Sequence, residues 1–331
     1  MSGNPIAWSN TPGIEKTLLR RLHHSGQEVE IPVACITGAS CGPTFVVMSG
    51  MHAGEYSGIF AVQRLIQTVR PEQLKGRLIL IPVISTLAFM MRYMQLSPVD
   101  DREAHFYVPG NPEGSYTEFL IDTLFSVVGD ADYLIDLHAG EFAQALYPWV
   151  PVPMVGPEEL QETSRSLALG FRVPYIELRT DKATIPPLCI ALAEAGVANI
   201  WVECGKNGIP TPEHVAIHYD GVIAALRTVN MLSGEPARPE QEILRGRRYQ
   251  ICAGQSGVWH PAVREGDIVE RGQHLGELAD FFGDTLETYT APCRSLVLYY
   301  WTSPAINYER RPHGYDWHTG LVSLISVEET Q

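Results

Sequence analysis

The chain has 331 residues, 45% of them hydrophobic, which is enough for two domains and a sizeable buried core. Its formal net charge of −14 argues against nucleic acid or an anionic membrane surface as a partner, although a small-molecule site can differ in sign from the whole surface. Pro and Gly interrupt every apolar stretch before it reaches bilayer length, and Met1-Ser-Gly-Asn-Pro5 lacks the basic-then-apolar pattern of a secretory signal, so a cytoplasmic protein is expected.

Taken in chain order, residues 26–38 read as a strand with a glycine at each end, and residues 44–48 as a short buried strand. Ile59, Val62, Leu65, Ile66 and Val69 recur at helical period. Residues 76–84 form an apolar strand flanked by Gly and Pro. Residues 115–128 read as a helix, with Ser115 as N-cap and Glu118 three residues on in the capping-box pattern. Short buried strands are expected at 134–137 and 200–202, and helices at 186–195 and 214–232. Strands alternating with helices imply an α/β domain with a mostly parallel or mixed sheet. Residues 233–240 carry Pro, Gly and charge in the manner of a linker. Beyond them come only short β-like runs, at 255–258, 267–269, 275–279, 288–290 and 295–301. The expected division is therefore a domain over 1–235 and an all-β module over 236–331.

Three of the apolar runs end in metal-type ligands. His52-Ala-Gly-Glu55 follows the run at 44–48, His138 closes Tyr133-Leu-Ile-Asp-Leu-His138, and Glu203 closes Asn199-Ile-Trp-Val-Glu203. Open α/β sheets build their sites at the C-terminal ends of strands. Zn²⁺ favours imidazole nitrogen and carboxylate oxygen, and a catalytic zinc keeps three protein ligands and one open position. His52, Glu55 and His138 are the candidate ligands for one zinc per chain. Zinc is preferred over Mn²⁺ or Co²⁺ because two imidazoles and one carboxylate suit it, while affinity order alone leaves the metal loaded open. Six cysteines are scattered with no Cys-x-x-Cys, so neither a structural zinc knuckle nor a thioredoxin-like motif is expected. Cys204, beside Glu203, reads as a small buried residue because no histidine partner lies close in sequence.

These residues resemble the succinylglutamate desuccinylase/aspartoacylase family, within the zinc carboxypeptidase-like hydrolases. Ser49-Gly-Met-His52-Ala-Gly-Glu55-Tyr-Ser-Gly58 is similar to its first metal motif, Asp136-Leu-His138 to its second, and Val202-Glu203-Cys-Gly205 to the strand carrying its catalytic glutamate. Weaker similarity runs through Pro82-Val-Ile-Ser85, Ser97-Pro-Val-Asp100, Pro109-Gly110 and Gly114-Ser115 and on into the β module. The resemblance implies a zinc-carboxypeptidase-like α/β domain with a central mixed sheet flanked by helices. It implies a barrel-like C-terminal module capping the cleft. That module also resembles a biotinyl/lipoyl hammerhead at residues 266–276, but the chain has no lysine after Lys206 to carry such a group. The implied reaction is hydrolysis of the amide bond of a small N-acylated compound, with metal-activated water and Glu203 as general base. Asp136 shares a strand face with His138 and is placed either behind it or as the cap of a neighbouring loop.

One segment departs from the family. The usual Arg-x-x-Pro-x-Asp, then Leu-Asn-Arg before Phe-Pro-Gly, reads here Gln95-Leu-Ser-Pro98-Val-Asp100 and Ala104-His105-Phe106. In the family those arginines hold the substrate carboxylate and polarise its carbonyl. The expectation is a working hydrolase with an altered acceptor site lined by Gln95, His105 and Phe106, favouring a less anionic substrate. Arg92, Arg102 and Arg179 are the cations able to compensate. Tyr147, Tyr289 and Trp301 either line the cleft or pack, and His313 and His318 form a late loop-like pair. Competing readings are a carboxypeptidase-like peptidase, which would need a cation for the terminal carboxylate, and a metal-bound binding protein without turnover. Oligomeric state is left open, a homo-oligomer included.

Overall fold

The computed structural model describes residues 6–308 and 319–327, so the His313–His318 pair lies outside the described residues. The strands of the first part are β1 (Gly13–Leu22), β2 (Glu28–Thr37), β3 (Ser40–Ser49), β4 (Lys75–Ile81), β5 (Tyr133–His138), β6 (Gln144–Leu146), β7 (Trp149–Pro153), β8 (Tyr175–Arg179), β9 (Ala198–Glu203) and β10 (Glu242–Leu244). All except β6 join one nine-stranded sheet in the order β1-β2-β4-β3-β5-β9-β7-β8-β10. The sheet is mixed: β4, β3, β5 and β9 run parallel, whereas β1 and β2 pair antiparallel at one edge and β7 meets β9 antiparallel.

The central strands are apolar on both faces because helices cover both. Phe45, Val47, Ile135, Leu137, Ile200 and Val202 meet α1 (Tyr56–Thr68), α4 (Glu158–Ala168) and α6 (Pro212–Thr228) in one core. Val46, Met48, Ile79, Ile81 and Leu134 meet α3 (Tyr116–Val128) and α5 (Pro187–Glu194) in the other. The remaining helix is the short α2 (Thr86–Met91). Helix α3 starts at the capping box expected for it: Ser115 accepts from the Glu118 amide, and Glu118 accepts from the Ser115 amide. Helix α1 lies close over β3 and β5 at Gly58, where a Cβ would come within 2.4 Å of Ser49 Oγ and 2.7 Å of Leu137 Cβ. A glycine is needed there for α1 to sit against the sheet and hold the loop before it.

After residue 240 the chain forms antiparallel strands: β11 (Arg248–Cys252), β12 (Gly257–Pro261), β13 (Ile268–Val269), β14 (His274–Ala279), β15 (Thr285–Thr290), β16 (Ser295–Trp301), β17 (Ala305–Ile306) and β18 (Gly320–Ser326). One sheet runs β11-β18-β16-β13 and the other β15-β14-β12-β17, with Trp259, Leu275, Leu278, Val297 and Leu324 buried in a core of their own. The boundary expected at 235 is not a break in hydrogen bonding. β10 follows the linker yet pairs parallel with β8 in the large sheet, and β6, from the first part, pairs with β16. The physical reason is a shared core: Leu146, Trp149 and Leu244 pack against Leu296, Leu298 and Ile325. No helix among the described residues is long and apolar enough to cross a membrane.

Candidate active site

The parallel register of β3, β5 and β9 sets the site. Met48 lies beside Asp136, Ser49 beside Leu137, and His138 directly beside Glu203. The chain leaving β3 turns through Gly50, at φ +66°, and brings His52 and Glu55 back over the ends of the same strands before α1 begins. The four residues singled out in the sequence therefore line one cavity of about 170 Å³.

At its floor three imidazoles alternate with three carboxylates around a closed ring. Glu55 spans two histidines: its Oε1 lies 2.8 Å from His52 Nδ1 and its Oε2 2.9 Å from His138 Nδ1. The far nitrogen of His52, Nε2, lies 3.2 Å from Glu103 Oε1, and that of His138 lies 2.9 Å from Asp136 Oδ2. His105 closes the ring, 3.2 Å from Glu103 Oε1 through Nδ1 and 3.4 Å from Asp136 Oδ2 through Nε2. All six are buried. Burial opposes charge on His52, but Glu55 and Glu103 outweigh it and raise its pKa to about 10. Burial likewise works against the Glu55 carboxylate, yet His52 and His138 pull it down to about 2. Asp136 and Glu103 are held well below the usual carboxylate range against the same penalty, Asp136 chiefly by His138 and Glu103 chiefly by its hydrogen bonds to His105 and His52.

The ring fits a divalent ion of zinc type. The candidate ligand atoms of His52, Glu55 and His138 lie within 4.8 Å of one another. Two imidazoles and a carboxylate are a catalytic zinc set, and both remaining imidazole nitrogens face carboxylates, as zinc-bound histidines usually do. Asp136 thus stands behind His138, its other oxygen, Oδ1, buried without a hydrogen-bond partner among the described residues. The triads His52–Glu103–His105 and His105–Asp136–His138 have equally close ligand atoms. The cluster consequently offers more nitrogen and oxygen donors than one tetrahedral ion uses.

Glu203 stands apart from this ring with partial exposure on the cavity wall. Burial raises its pKa to about 7, against the opposing pull of His138. The following Cys204-Gly205 turn has Gly205 at φ +126°, where a Cβ would also come within 2.6 Å of Ser57 Oγ. Cys204 itself is fully buried, its thiol pushed upward by desolvation, and it does not line the cavity.

Gln95, His105, Phe106 and Arg179 line the cavity, with Phe106 42% exposed. Arg92 does not. It caps the end of α2 in a left-handed conformation, which turns it toward a neighbouring cavity of about 420 Å³ shared with Trp301. Arg102 is held at the start of α3 by Ser115 and Glu118. Tyr147 packs on Tyr175 and Tyr289 on Trp259, so neither reaches the cavity.

Sequence reasoning missed Glu103, Glu141, Glu177, Arg248 and Tyr299. One signal was available: His138-Ala-Gly-Glu141 repeats the tetrapeptide His52-Ala-Gly-Glu55. In the fold the second glutamate supports the first motif. Buried Glu141 accepts hydrogen bonds from the Gln95 amide at 2.8 Å and the Gly54 amide at 3.4 Å, and burial raises its pKa to about 7.

A nine-stranded mixed sheet with such a cluster at the ends of its parallel strands defines an α/β protein with a candidate metal site. Residues 41–229 match the succinylglutamate desuccinylase/aspartoacylase catalytic domain, and the chain belongs to that family. Among curated proteins it is 30% identical, over 76% of this chain and 75% of the relative, to N-alpha-acetyl-L-2,4-diaminobutyric acid deacetylase of Halomonas elongata. Among solved structures it is similar to a succinylglutamate desuccinylase/aspartoacylase from Rhodobacter sphaeroides, with TM-score 0.83 and 21% identity over 99% of this chain and 100% of that one. The product-bound ectoine utilization protein EutE (DoeB) of Ruegeria pomeroyi gives TM-score 0.83 and 23% identity over 97% of each chain. These two structures speak to the fold. The family and the Halomonas relative support a deacylase, a hydrolase acting on carbon–nitrogen bonds other than peptide bonds.

Proposed function

We propose that the chain is a zinc-dependent deacylase that removes the acyl group from a small N-acylated amino compound, of the class on which the Halomonas relative is named to act. The observation that carries this reading is the register that sets Glu203 beside His138 while the β3–α1 loop returns His52 and Glu55 to the same place. His52, Glu55 and His138 would hold the ion. Bound there, Zn²⁺ supplies Lewis acidity, which acidifies water and polarises the acyl carbonyl. Glu203 takes the proton of the attacking water, and the carbon–oxygen bond forms at the acyl carbon. Collapse of the tetrahedral species breaks the carbon–nitrogen bond as Glu203 returns that proton to the leaving amine. Glu103 keeps His52 turned toward the ion by accepting from its far nitrogen, and Asp136 faces that of His138 at 2.9 Å.

A cavity of about 170 Å³ suits a small acylated amine better than a polypeptide, which disfavours the peptidase reading. A pure binding protein would have no use for a raised-pKa glutamate beside the ligand set. Phe106, standing where the family has arginine, argues for a less anionic substrate than N-acetylaspartate or N-succinylglutamate. We read the C-terminal sheets as a barrel-like cap over the cleft, since β11 and β16 bring Arg248 and Tyr299 to its wall.

The test is amine release from N-acetyl-L-2,4-diaminobutyrate and from N-acetylaspartate, before and after chelation and zinc re-addition. Zinc-restored turnover with preference for the monocarboxylate is expected. Turnover that survives complete metal removal ends the metal reading, and preference for N-acetylaspartate ends the specificity reading.

The pH profile follows from Glu203. As a base it must be ionised, so kcat/KM falls on the acid side as it takes up a proton. Burial, against the pull of His138, raises its pKa to about 7, and a bound cation moves that limb lower. A profile flat through the whole carboxylate range would remove Glu203 as the base.

A further inference from the structure

The cavity holds a second polar group, apart from the ring of histidines and carboxylates. Arg179 ends β8 of the large sheet and Arg248 opens β11 of the C-terminal one, and both line the cavity. Between them stands a single buried acid, Glu177. Its Oε1 lies 3.2 Å from Arg179 Nε and 3.4 Å from Arg248 Nε, while its Oε2 accepts from the Trp149 indole at 3.1 Å. Two guanidinium groups therefore share one paired carboxylate, which leaves a positive charge over. Each guanidinium lies over an aromatic ring, Arg179 Cζ at 4.8 Å from the Trp201 ring centroid and Arg248 Cζ at 5.6 Å from that of Trp149. Arg179 Nη1 is satisfied by the Thr184 carbonyl at 2.6 Å. Arg248 Nη2 is buried without a hydrogen-bond partner among the described residues, while the Nε groups of both arginines face Glu177.

A buried guanidinium N–H left unsatisfied is costly, and a planar fork of donors is the group best shaped to bind a carboxylate. The floor of the cavity is rich in carboxylates, and Glu203 joins Glu177 in favouring the charge on Arg179. The positions where the family carries its arginines hold Gln95 and Phe106, and Phe106 cannot bind an anion at all.

We propose that Arg179 and Arg248 form a subsite for one carboxylate on the amine half of the substrate, so that the cleft takes N-acyl amino acids bearing a single carboxylate. The position of the scissile bond in this proposal rests on the deacylase reading; the anion site itself does not. Arg248 is the sharper probe, because Arg179 is more deeply buried and also ties the Thr184 loop.

The experiment compares kcat/KM for N-acetyl-L-2,4-diaminobutyrate with that for its carboxamide, in wild type, Arg248→Gln and Arg248→Lys. Wild type prefers the carboxylate. Arg248→Gln lowers the carboxylate-to-carboxamide ratio by about 10–100-fold, the scale of a hydrogen bond to a charged group. Arg248→Lys recovers part of it, since it keeps the charge and loses the fork. A ratio unchanged in Arg248→Gln makes the arginine–glutamate–arginine group purely structural and overturns the proposal, as does a wild type that favours the carboxamide. Should wild type hydrolyse neither compound, the deacylase reading fails separately, and calorimetric titration with the same pair decides the subsite. Binding of the carboxylate that Arg248→Gln abolishes supports it, and equal binding of acid and amide overturns it.

Discussion

Replacing Glu203 with glutamine is expected to lower kcat by about 10²–10⁴-fold, the usual contribution of a positioned general base, while leaving zinc content unchanged. The carboxamide has nearly the shape of the carboxylate, so β9 and its pairing with β5 should tolerate it. What it lacks is a site for the water proton at neutral pH. The separation of the two effects follows from the geometry. The ring is made by His52, Glu55, Glu103, His105, Asp136 and His138, and Glu203 belongs to none of its close triads. Metal analysis beside single-turnover amine release gives the answer. Equal rates in the two proteins would take Glu203 out of the mechanism, and parallel loss of zinc and rate would make it a ligand.

The parts of this molecule that were legible in the sequence are those dictated by local chemistry. The apolar runs at 44–48, 134–137 and 200–202 lie within β3, β5 and β9, because strands covered on both faces need unbroken apolar residues. The α3 capping box announced itself in four residues. Helix α4 did not, since its segment carries three glutamates and buries only Ser164, Leu167 and Ala168, too few for an apolar period to show. Edge strand β1 alternates half-buried and exposed positions with Leu18 and Leu22 on the exposed side, which blurs the period-two signal. Strand β10 is only three residues long and joins its sheet through tertiary packing that no local pattern encodes.

In the site, ligand types at strand ends were readable, whereas partners brought in by loops and by the other sheet were not. Glu103 lies on an irregular segment and Arg248 on a strand of the C-terminal sheet; nothing in their flanking residues points at β5. Gln95 and Phe106 were legible as departures from a pattern and Arg179 as one of three compensating cations, but only the fold brings Arg248 to the same cavity. The repeat of His-Ala-Gly-Glu at 52 and 138 was in plain view. Its meaning needed coordinates, because the two glutamates have opposite fates: Glu55 is drawn down to about 2 by two imidazoles, and Glu141 is raised to about 7 with only amides to accept from.

His138→Ala is expected to remove both zinc retention and turnover, and to destabilise the metal-free protein by about 3–5 kcal/mol, the range for breaking a buried ion pair at one end. His138 is 3% exposed and touches two carboxylates, Glu55 and Asp136, at 2.9 Å each. Burial disfavours its charge, yet Asp136 and Glu55 together hold its pKa well above the ordinary histidine value. Without it those two acids face each other with less positive charge between them. The sign with pH follows from the acids. In wild type Glu55 is depressed to about 2, so its contribution is present above the unfolded carboxylate pKa and is lost only as pH falls through that low value. In the variant Glu55 and Asp136 take up protons at higher pH, which relieves the repulsion. The stability gap between the two metal-free proteins should therefore be widest near neutral pH and shrink toward the ordinary carboxylate range. Urea unfolding of both apoproteins across that range measures it, and a gap independent of pH would sink the electrostatic account. Added zinc should raise the midpoint of wild type, since a ligand that binds only the folded state stabilises it by mass action, and should leave the variant nearly unmoved. A His138→Ala protein that keeps one zinc per chain and full turnover would move the metal to another part of the ring.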